Sequence, residues 1–332
     1  MAHLVTIPNL GSFDDDSGLV PLARCSDGLF EPGRDGVLSI TATGDRKVEF
    51  VAFQDHTLAY VTSAMGYPAY YPLHPVSLET PVTAVLMDLD GTSVRSEGFW
   101  IWIIQQTVAG LLGDPGFELQ DEDLPFVSGH SVSEHLAFCL SKYCPDRTVE
   151  EARSLYFQHT RREMQKIMAG GGRTDAFSPA PGLREFLVEL KDRGISLGLV
   201  SSGLYEKAYP EILAAFRTMG LGSPEEFYDV IITAGFPLGQ GSVGTLGELA
   251  AKPHPWLYAE AFRVGLGMGF QKRNRVLGIE DSGAGVCAIR LAGLPTVGIG
   301  GGNILESGTR ALCHAYCESL VEVLDLIGSS VA

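Results

Sequence analysis

The chain is poor in positive charge, with 24 Lys and Arg against 40 Asp and Glu among 332 residues. The formal net charge is −16, so nucleic acids and anionic membrane surfaces are repelled. Long hydrophobic runs are missing as well. The most apolar stretches, such as 99–105 and 195–200, fall far short of the roughly 18 residues of a membrane span. We therefore expect no nucleic-acid partner and no membrane partner.

Cysteines are also few, and they do not form a dense framework. The six are scattered along the chain, at Cys25, Cys139, Cys144, Cys287, Cys313 and Cys317. This scatter favours reduced thiols over disulfides. Cys313, His314 and Cys317 lie in a helix-like stretch, but three ligands without a second cluster do not make a structural zinc site. Because the first residues lack the basic start and apolar run of a secretory signal, we expect a cytoplasmic location.

Composition and length indicate a folded protein of about two domains, and the order of its segments indicates an α/β fold. Hydrophobic residues make up 45% of the chain and charged residues 19%, which excludes wholesale disorder. Residues 1–80 contain turn-forming stretches and an alternating run, 47–53, and predict a small β-rich extension. From Val82 onward, apolar strands alternate with amphipathic helices. That alternation predicts a Rossmann-like parallel sheet covered by helices on both faces.

The order of these segments also predicts a helical insertion. Apolar strands are predicted at 82–88, 195–201, 229–235, 276–281 and 296–300, and helices between the later strands at 182–192, 255–264 and 284–291. Between the first two strands only helical patterns occur, at 99–112, 132–143 and 149–168. One crossover needs about a dozen residues. We therefore predict a separate helical module, 97–177, inserted into a core formed by 81–96 and 178–332.

Polar groups follow the predicted strands, at the edge where open parallel sheets bind ligands. They are carboxylates, hydroxyls and one ammonium: Asp88, Asp90, Ser201, Ser202, Lys252, Glu280 and Asp281. Since the carboxyl ends of parallel strands share one edge, we expect these groups to meet there.

Two of the carboxylates suit phosphoryl transfer. Asp88 at a strand tip can attack phosphorus and form an aspartyl phosphate, which divides one difficult displacement into two easier ones. Asp90 can protonate the leaving oxygen and then activate water as a base.

The remaining groups suit the binding of a phosphate. Gly91 lets the backbone turn and approach the phosphate closely, and Thr92 adds a hydroxyl. Ser201 can hold phosphoryl oxygens, and Lys252 neutralises both the nucleophile and the phosphate.

One lysine is too little positive charge for several carboxylates and a phosphate. A divalent cation bound by Asp88, a main-chain carbonyl near Asp90, and Asp281 with help from Glu280 would supply the rest. This all-oxygen set predicts Mg²⁺ as cofactor.

The ordered motifs resemble those of haloacid-dehalogenase-superfamily phosphotransferases. More specifically, they resemble the β-phosphoglucomutase and phosphoglycolate-phosphatase branch, which carries a helical cap. The matching elements are DLDGT at 88–92, Ser201, KPHP at 252–255 and GIEDSGAG at 278–285, and they cover about residues 82–328. A lone DxDGT is moderately specific, whereas four motifs in this order are strongly so.

The resemblance implies roles for individual residues. Asp88 is implied as nucleophile, Asp90 as general acid and base, and Ser201 and Lys252 as catalytic partners. Glu280 with Asp281 is implied as the metal end. Our candidate substrate contacts are Gly91, Thr92, Ser202 and Gly203, and our candidate metal ligands are Asp88, Asp90, Glu280 and Asp281. An acid at position 90 favours phosphate-ester chemistry, because dehalogenases resemble this core but lack that acid.

The chain also departs from the family pattern. Arg95 stands where relatives carry an acidic residue, near the hinge of the cap, and 234–252 is longer and richer in glycine than expected. Residues 1–80 match no family, and we assign them no chemistry.

Simpler interpretations accompany several residues. Asp-Gly is a common turn dipeptide, although three further motifs argue against a mere turn at 90–91. In the cap, His130 is a candidate specificity residue or a solvated loop histidine. Arg161, Arg162 and Lys166 suit a solvated helix face. The glycines at 265–269 and 300–302 lack the strand and helix context of a dinucleotide site.

The expected function is Mg²⁺-dependent hydrolysis of a small phosphorylated metabolite. A sugar phosphomutase would use the same core, and a non-catalytic binding protein on the same fold is the alternative of another class. The sequence does not predict the substrate or the oligomeric state.

Overall fold

The N-terminal part of the chain forms two antiparallel sheets. The structure is a computed structural model, and it describes residues 5–13, 17–62, 67–126, 132–173, 176–234 and 251–328. A hairpin joins β1 (Val5–Ile7) to β2 (Gly11–Phe13). Five further strands pair in sequence order: β3 (Val20–Pro21), β4 (Ser39–Ala42), β5 (Val48–Ala52), β6 (Thr57–Val61) and β7 (Ala69–Pro72). The predicted β-rich character of this region is confirmed.

A parallel sheet follows, as the sequence predicts, but it has six strands where the sequence predicts five. It consists of β8 (Ala84–Asp88), β11 (Ser196–Val200), β12 (Val230–Ile232), β13 (Val276–Glu280), β14 (Thr296–Ile299) and β15 (Ala315–Cys317). The spatial order is β12-β11-β8-β13-β14-β15, so β8 lies near the centre. All five residues of β8 are buried, because helices cover both faces of a parallel sheet.

The described helices cover that sheet or extend beyond it. They are α1 (Glu97–Leu112), α2 (Val132–Tyr143), α3 (Val149–Met168), α4 (Leu183–Asp192), α5 (Tyr205–Met219), α6 (Pro224–Phe227), α7 (Trp256–Glu260), α8 (Gly283–Leu291) and α9 (Leu320–Ile327). Helices α1 to α3 pack around Ile103, Leu136 and Tyr156. Thr148 and Glu151 begin α3 with a capping box. The short strands β9 (Val94–Arg95) and β10 (Ser178–Pro179) pair antiparallel on either side of α1 to α3 in the chain.

Two contacts illustrate how the N-terminal sheets pack against the parallel-sheet region. Val48 and Phe50 of β5 lie in one apolar cluster with Val286 and Leu291 of α8. This contact buries one face of β5, and a second cluster of Cys25, Val37 and Tyr60 buries Val51 on the other face, so all five residues of the strand are buried. Tyr71 of β7 makes the second contact, which is described with the site.

Three details differ from the sequence-based expectations. Residues 313–317 are not helix-like: a 3₁₀ turn, Thr309–Leu312, precedes β15, which contains Cys317. That strand has only three residues, too few for a periodicity signal. Helix α5 was not predicted, since Pro210 lies inside it and a proline usually interrupts a helical pattern. The helix predicted at 255–264 divides into α7 and a π-helical turn, Ala261–Gly265.

Candidate active site

The candidate site lies at the carboxyl edge of the parallel sheet, around the last residue of β8. Asp88 pairs in register with Val200 of β11, and Met87 pairs with Ile279 of β13. Parallel pairing therefore brings the residues after these strands to one edge. Asp88 is 6% exposed and Glu280 fully buried.

Lys252 joins the two carboxylates. Its Nζ donates to Asp88 Oδ1, to Glu280 Oε1 at 2.6 Å and to the Val200 carbonyl at 3.2 Å. The lysine side chain is 6% exposed. Burial opposes its charge, but Asp88 and Glu280 outweigh that effect and raise the pKa of Lys252. The ammonium therefore stays charged beside the candidate nucleophile.

Glu280 is held by further donors. Its Oε1 accepts a hydrogen bond from Tyr258 Oη at 2.9 Å, and its Oε2 accepts one from Ser282 Oγ at 3.0 Å. These contacts fix the carboxylate that orients Lys252. Sequence reasoning missed Tyr258, because a tyrosine in the helix after Lys252 has the pattern of an ordinary core residue.

The loop after β8 turns sharply toward Asp281. Gly91 has φ +84°, in the left-handed region, and Thr92 Oγ1 donates to Asp281 Oδ1 at 3.3 Å. A Cβ on Gly91 would lie 2.0 Å from Asp281 Oδ2. Atoms cannot approach so closely, so the Asp281 side chain would have to shift. This position therefore requires glycine both for its dihedral angle and for the space beside Asp281.

A Gly91→Ala variant is expected to lose much more activity than left-handed backbone strain alone explains. Gly113 is the matched control, since its φ is +68° and a Cβ there meets nothing within 4 Å. Both substitutions carry about 1 kcal/mol of left-handed strain, but only Gly91→Ala displaces Asp281. We expect Gly113→Ala to keep full turnover of a phosphate ester and Gly91→Ala to lose at least about a hundredfold. Equal rates in the two variants would contradict the Asp281 contact.

Ser201 to Gly203 follow β11 at the same edge. Ser201 is 1% exposed, and its Oγ accepts a hydrogen bond from the Gly203 backbone at 2.9 Å. Ser202 Oγ accepts one from the Lys252 backbone at 3.2 Å. Ser202 thus holds the segment that carries Lys252, and Ser201 precedes it in the same loop.

Asp90 has neighbours that sequence reasoning missed. Ser96 Oγ donates to Asp90 Oδ1 at 2.6 Å, and Lys207 Nζ lies 3.8 Å from that oxygen. The Lys207 ammonium also lies 4.0 Å from the ring centre of Trp100. Burial alone would raise the pKa of Asp90, but Lys207 and Ser96 outweigh it and hold the pKa below its usual value.

The position of Lys207 becomes informative only in the structure, because the sequence does not predict α5. Lys207 stands in the first turn of α5, where the helix dipole disfavours a cation. A lysine there indicates a nearby anion, and Asp90 is that anion. Helix α5 also carries Glu211, which is fully buried. Burial and the nearby Asp90 raise the pKa of Glu211.

The acidic residues form a candidate metal centre. Asp88, Glu280 and Asp281 offer oxygens that all lie within 4.8 Å of one another, and they are the one such cluster among the described residues. Burial and Glu280 raise the pKa of Asp88, and the same causes raise the pKa of Asp281 to about 7. A cation would relieve this repulsion, and the all-oxygen donor set fits Mg²⁺.

Two of the predicted elements cannot be placed relative to the site, and three arginines that the sequence analysis names have partners elsewhere. His130 and residues 235–250 of the long loop lie outside the described residues. A Cβ on Gly301 would lie 3.1 Å from Arg95 Nη1, so Arg95 reaches the loop after β14. Arg161 lies 3.8 Å from Glu206, and Arg162 lies 3.3 Å from Glu163. Both arginines are more than half exposed, as the solvated-face interpretation predicts.

The extension touches the segment after Lys252. Tyr71 Oη lies 2.7 Å from His254 Nδ1, and Trp256 Nε1 donates to the same hydroxyl at 3.1 Å. The N-terminal sheets therefore support the chain two residues beyond the candidate catalytic lysine.

Comparison with known proteins identifies the family. The profile of haloacid dehalogenase-like hydrolases matches residues 82–293, the span that carries Asp88, Lys252 and Asp281. The chain belongs to this family. The resemblance seen in the motifs is thereby confirmed, and the N-terminal sheets lie outside the matched span.

Solved structures share the fold of this haloacid dehalogenase-like chain. A predicted phosphoglycolate phosphatase from Haemophilus somnus is 17% identical, with a TM-score of 0.54, and the match covers 74% of this chain and 98% of that one. A subfamily IA hydrolase from Geobacter sulfurreducens is 19% identical, with a TM-score of 0.50 and coverage of 76% and 100%. The search of curated proteins gave no match.

A third solved relative carries a ligand. It is a mutant of CbbY from Rhodobacter sphaeroides in complex with xylulose-1,5-bisphosphate, 21% identical, with a TM-score of 0.50 and coverage of 73% and 96%. Similarity at this level shows the shared fold. As for membranes, no helix in the described ranges is both long and apolar enough to cross one.

Proposed function

We propose that the protein hydrolyses a small phosphorylated metabolite in a Mg²⁺-dependent reaction through an aspartyl phosphate at Asp88. The observation that carries the proposal is the contact of Lys252 with both Asp88 and Glu280 at the carboxyl edge of the sheet. A buried ammonium on a strand-end carboxylate suits a nucleophile that must approach an anionic phosphate.

The first step forms a bond between an Asp88 oxygen and phosphorus, and it breaks the bond from phosphorus to the substrate oxygen. Asp90 gives the leaving oxygen its proton. Lys207 keeps Asp90 ionised before substrate binds, and a phosphate beside Asp90 raises its pKa, so the proton is taken up in the complex.

In the second step the ionised Asp90 accepts a proton from water. That water attacks phosphorus, releases inorganic phosphate and restores the Asp88 carboxylate. Ser201 and Lys252 hold the phosphoryl oxygens through both steps.

The candidate metal ligands are Asp88, Asp281 and the main-chain carbonyl of Asp90. Glu280 completes the acidic cluster while its own oxygens hold Lys252 and Ser282. When bound, Mg²⁺ supplies positive charge that screens the nucleophile from the phosphate.

The substrate is proposed to be a phosphorylated sugar or a similarly small ester. Helices α1 to α3 follow the nucleophile loop and form the cap over it, as in a family whose member CbbY binds a sugar bisphosphate. Intact Asp88, Asp90, Lys252 and Asp281 argue against a non-catalytic binding protein.

The direct experiment is phosphate release from a panel of sugar phosphates, phosphoglycolate, nucleotides and p-nitrophenyl phosphate, with Mg²⁺ or EDTA. We expect Mg²⁺-dependent release from at least one small ester. If the folded protein binds Mg²⁺ but releases no phosphate, the hydrolase proposal is wrong. Isomerisation of a sugar phosphate in the same samples would then favour the phosphomutase alternative.

An Asp90→Asn variant is expected to separate the two steps. With an alkyl phosphate, loss of the acid slows turnover by about 10²–10⁴-fold. With p-nitrophenyl phosphate, the leaving group departs without a proton, while release of phosphate still lacks its base. Stopped-flow absorbance should therefore show a burst of about one p-nitrophenol per active site, because the first step outruns the second. An equal slowing of both steps, without a burst, would assign Asp90 another role.

A further inference from the structure

A cavity of about 480 Å³ lies where the N-terminal hairpin meets the parallel-sheet region, away from the candidate active site. One wall is formed by 6–12, around the turn between β1 and β2, and another by 311–314. Arg290, the penultimate residue of α8, forms part of the wall between them. The volume lies within the range of small-molecule sites.

Arg290 is buried, and no carboxylate in the described part of the chain pairs with it. It is 4% exposed, and its Nη2 donates to the Asn9 carbonyl at 3.3 Å. Its Nη1 is buried and finds no hydrogen-bond partner among the described residues. Burial lowers the pKa of Arg290 to about 10, and no carboxylate among the described residues opposes this effect. A guanidinium offers five donors, and the two donors of Nη1 are unused within the described part of the chain.

The polarity of the cavity indicates an anion. In the part of its lining that the structure describes, Arg290 is the one formal charge and there is no Asp or Glu, although the whole chain carries a net charge of −16. The other titratable side chain that could bind an anion, His314, is engaged: its Nδ1 accepts a hydrogen bond from the Thr296 backbone at 3.3 Å. A single cation matches a monoanion, whereas a phosphate dianion would leave an unpaired negative charge.

The rest of the lining suits an apolar body attached to that anion. Ile7, Leu10, Val76 and Leu312 line the cavity, while Thr6 Oγ1 and Ser12 Oγ, 2.8 Å apart, bond to one another on the hairpin. We propose that this cavity is a second binding site, which takes a small monocarboxylate with an apolar body and pairs its carboxylate with Arg290. In this proposal the N-terminal extension takes part in ligand binding, since its hairpin supplies one wall of the cavity.

Calorimetric titration of the full-length, Mg²⁺-free protein tests the proposal, with benzoate, butyrate and inorganic phosphate as probes. Wild type should bind benzoate saturably at one site. Arg290→Gln should weaken that binding about tenfold or more, because it removes a charge-assisted pair. Ser12→Trp, an exposed position on the hairpin wall, should block it without altering α8. Arg34→Gln removes an exposed arginine of the extension and should bind as wild type does.

The Ser12→Trp variant keeps the test decisive if Arg290→Gln unfolds the protein. No saturable benzoate binding to wild type overturns the proposal, and so does equal affinity in wild type and the Ser12→Trp variant. Phosphate binding that is tighter than benzoate binding and depends on Arg290 overturns the carboxylate assignment. None of these outcomes involves Asp88, so they are independent of the proposed phosphatase activity.

Discussion

An Asp88→Asn variant is expected to release no measurable phosphate from any ester that the wild type hydrolyses. The amide oxygen is a poor nucleophile, and removal of an enzyme nucleophile costs on the order of 10⁴-fold or more in turnover. Asp88 is buried at the end of a buried strand, and asparagine has nearly the same shape. The loss should therefore appear in kcat while the circular dichroism spectrum and the unfolding midpoint stay close to those of wild type.

Asp192→Asn is the matched control for this change. Asp192 is exposed and ends α4, so its substitution should leave phosphate release unchanged. Turnover by Asp88→Asn within tenfold of wild type would show that another group attacks phosphorus.

The second large effect is expected for Lys252→Met, in both rate and stability. The ammonium contacts Asp88 and Glu280, and all three side chains are buried. Its removal leaves two buried carboxylates without their partner, a change that costs about 3–5 kcal/mol in other proteins. It also removes a preorganised positive charge from the phosphate site, which costs about 10²–10³-fold in kcat.

Urea unfolding in EDTA and phosphate release in Mg²⁺ measure the two effects separately. The control is Lys191→Met, since Lys191 pairs with Asp229 at 3.0 Å on a partly exposed surface. We expect that control to lose at most about 1 kcal/mol in the free energy of unfolding and no activity. A Lys252→Met variant as stable and as active as the control would remove Lys252 from the site.

The parallel sheet could be predicted because its signal is local. Largely apolar runs such as 84–87 and 276–279 need no information about their neighbours to be identified as buried strands. The edge that they share follows from parallel pairing alone, so Asp88, Lys252 and Glu280 could be expected to meet. β15, by contrast, has three residues, and its pairing with β14 is a long-range contact without a local pattern.

The neighbours of the site residues could not be predicted in the same way. Tyr258 bonds to Glu280 and Lys207 lies beside Asp90 because α5 and the chain after Lys252 pack at particular positions. These positions depend on tertiary packing, which spacing in the sequence does not encode. The packing of β5 against α8 is another such case, since both faces of the strand are buried by different elements.

The most direct test of the account is to locate the phosphoryl group on the protein. Asp90→Asn protein is mixed with p-nitrophenyl phosphate and Mg²⁺, quenched during the burst, reduced with borohydride and analysed as peptides by mass spectrometry. Reduction converts an acyl phosphate into an alcohol, so the account predicts this modification at Asp88, and none when EDTA replaces Mg²⁺. A burst accompanied by modification of a different residue, or by none, would contradict the aspartyl-phosphate mechanism.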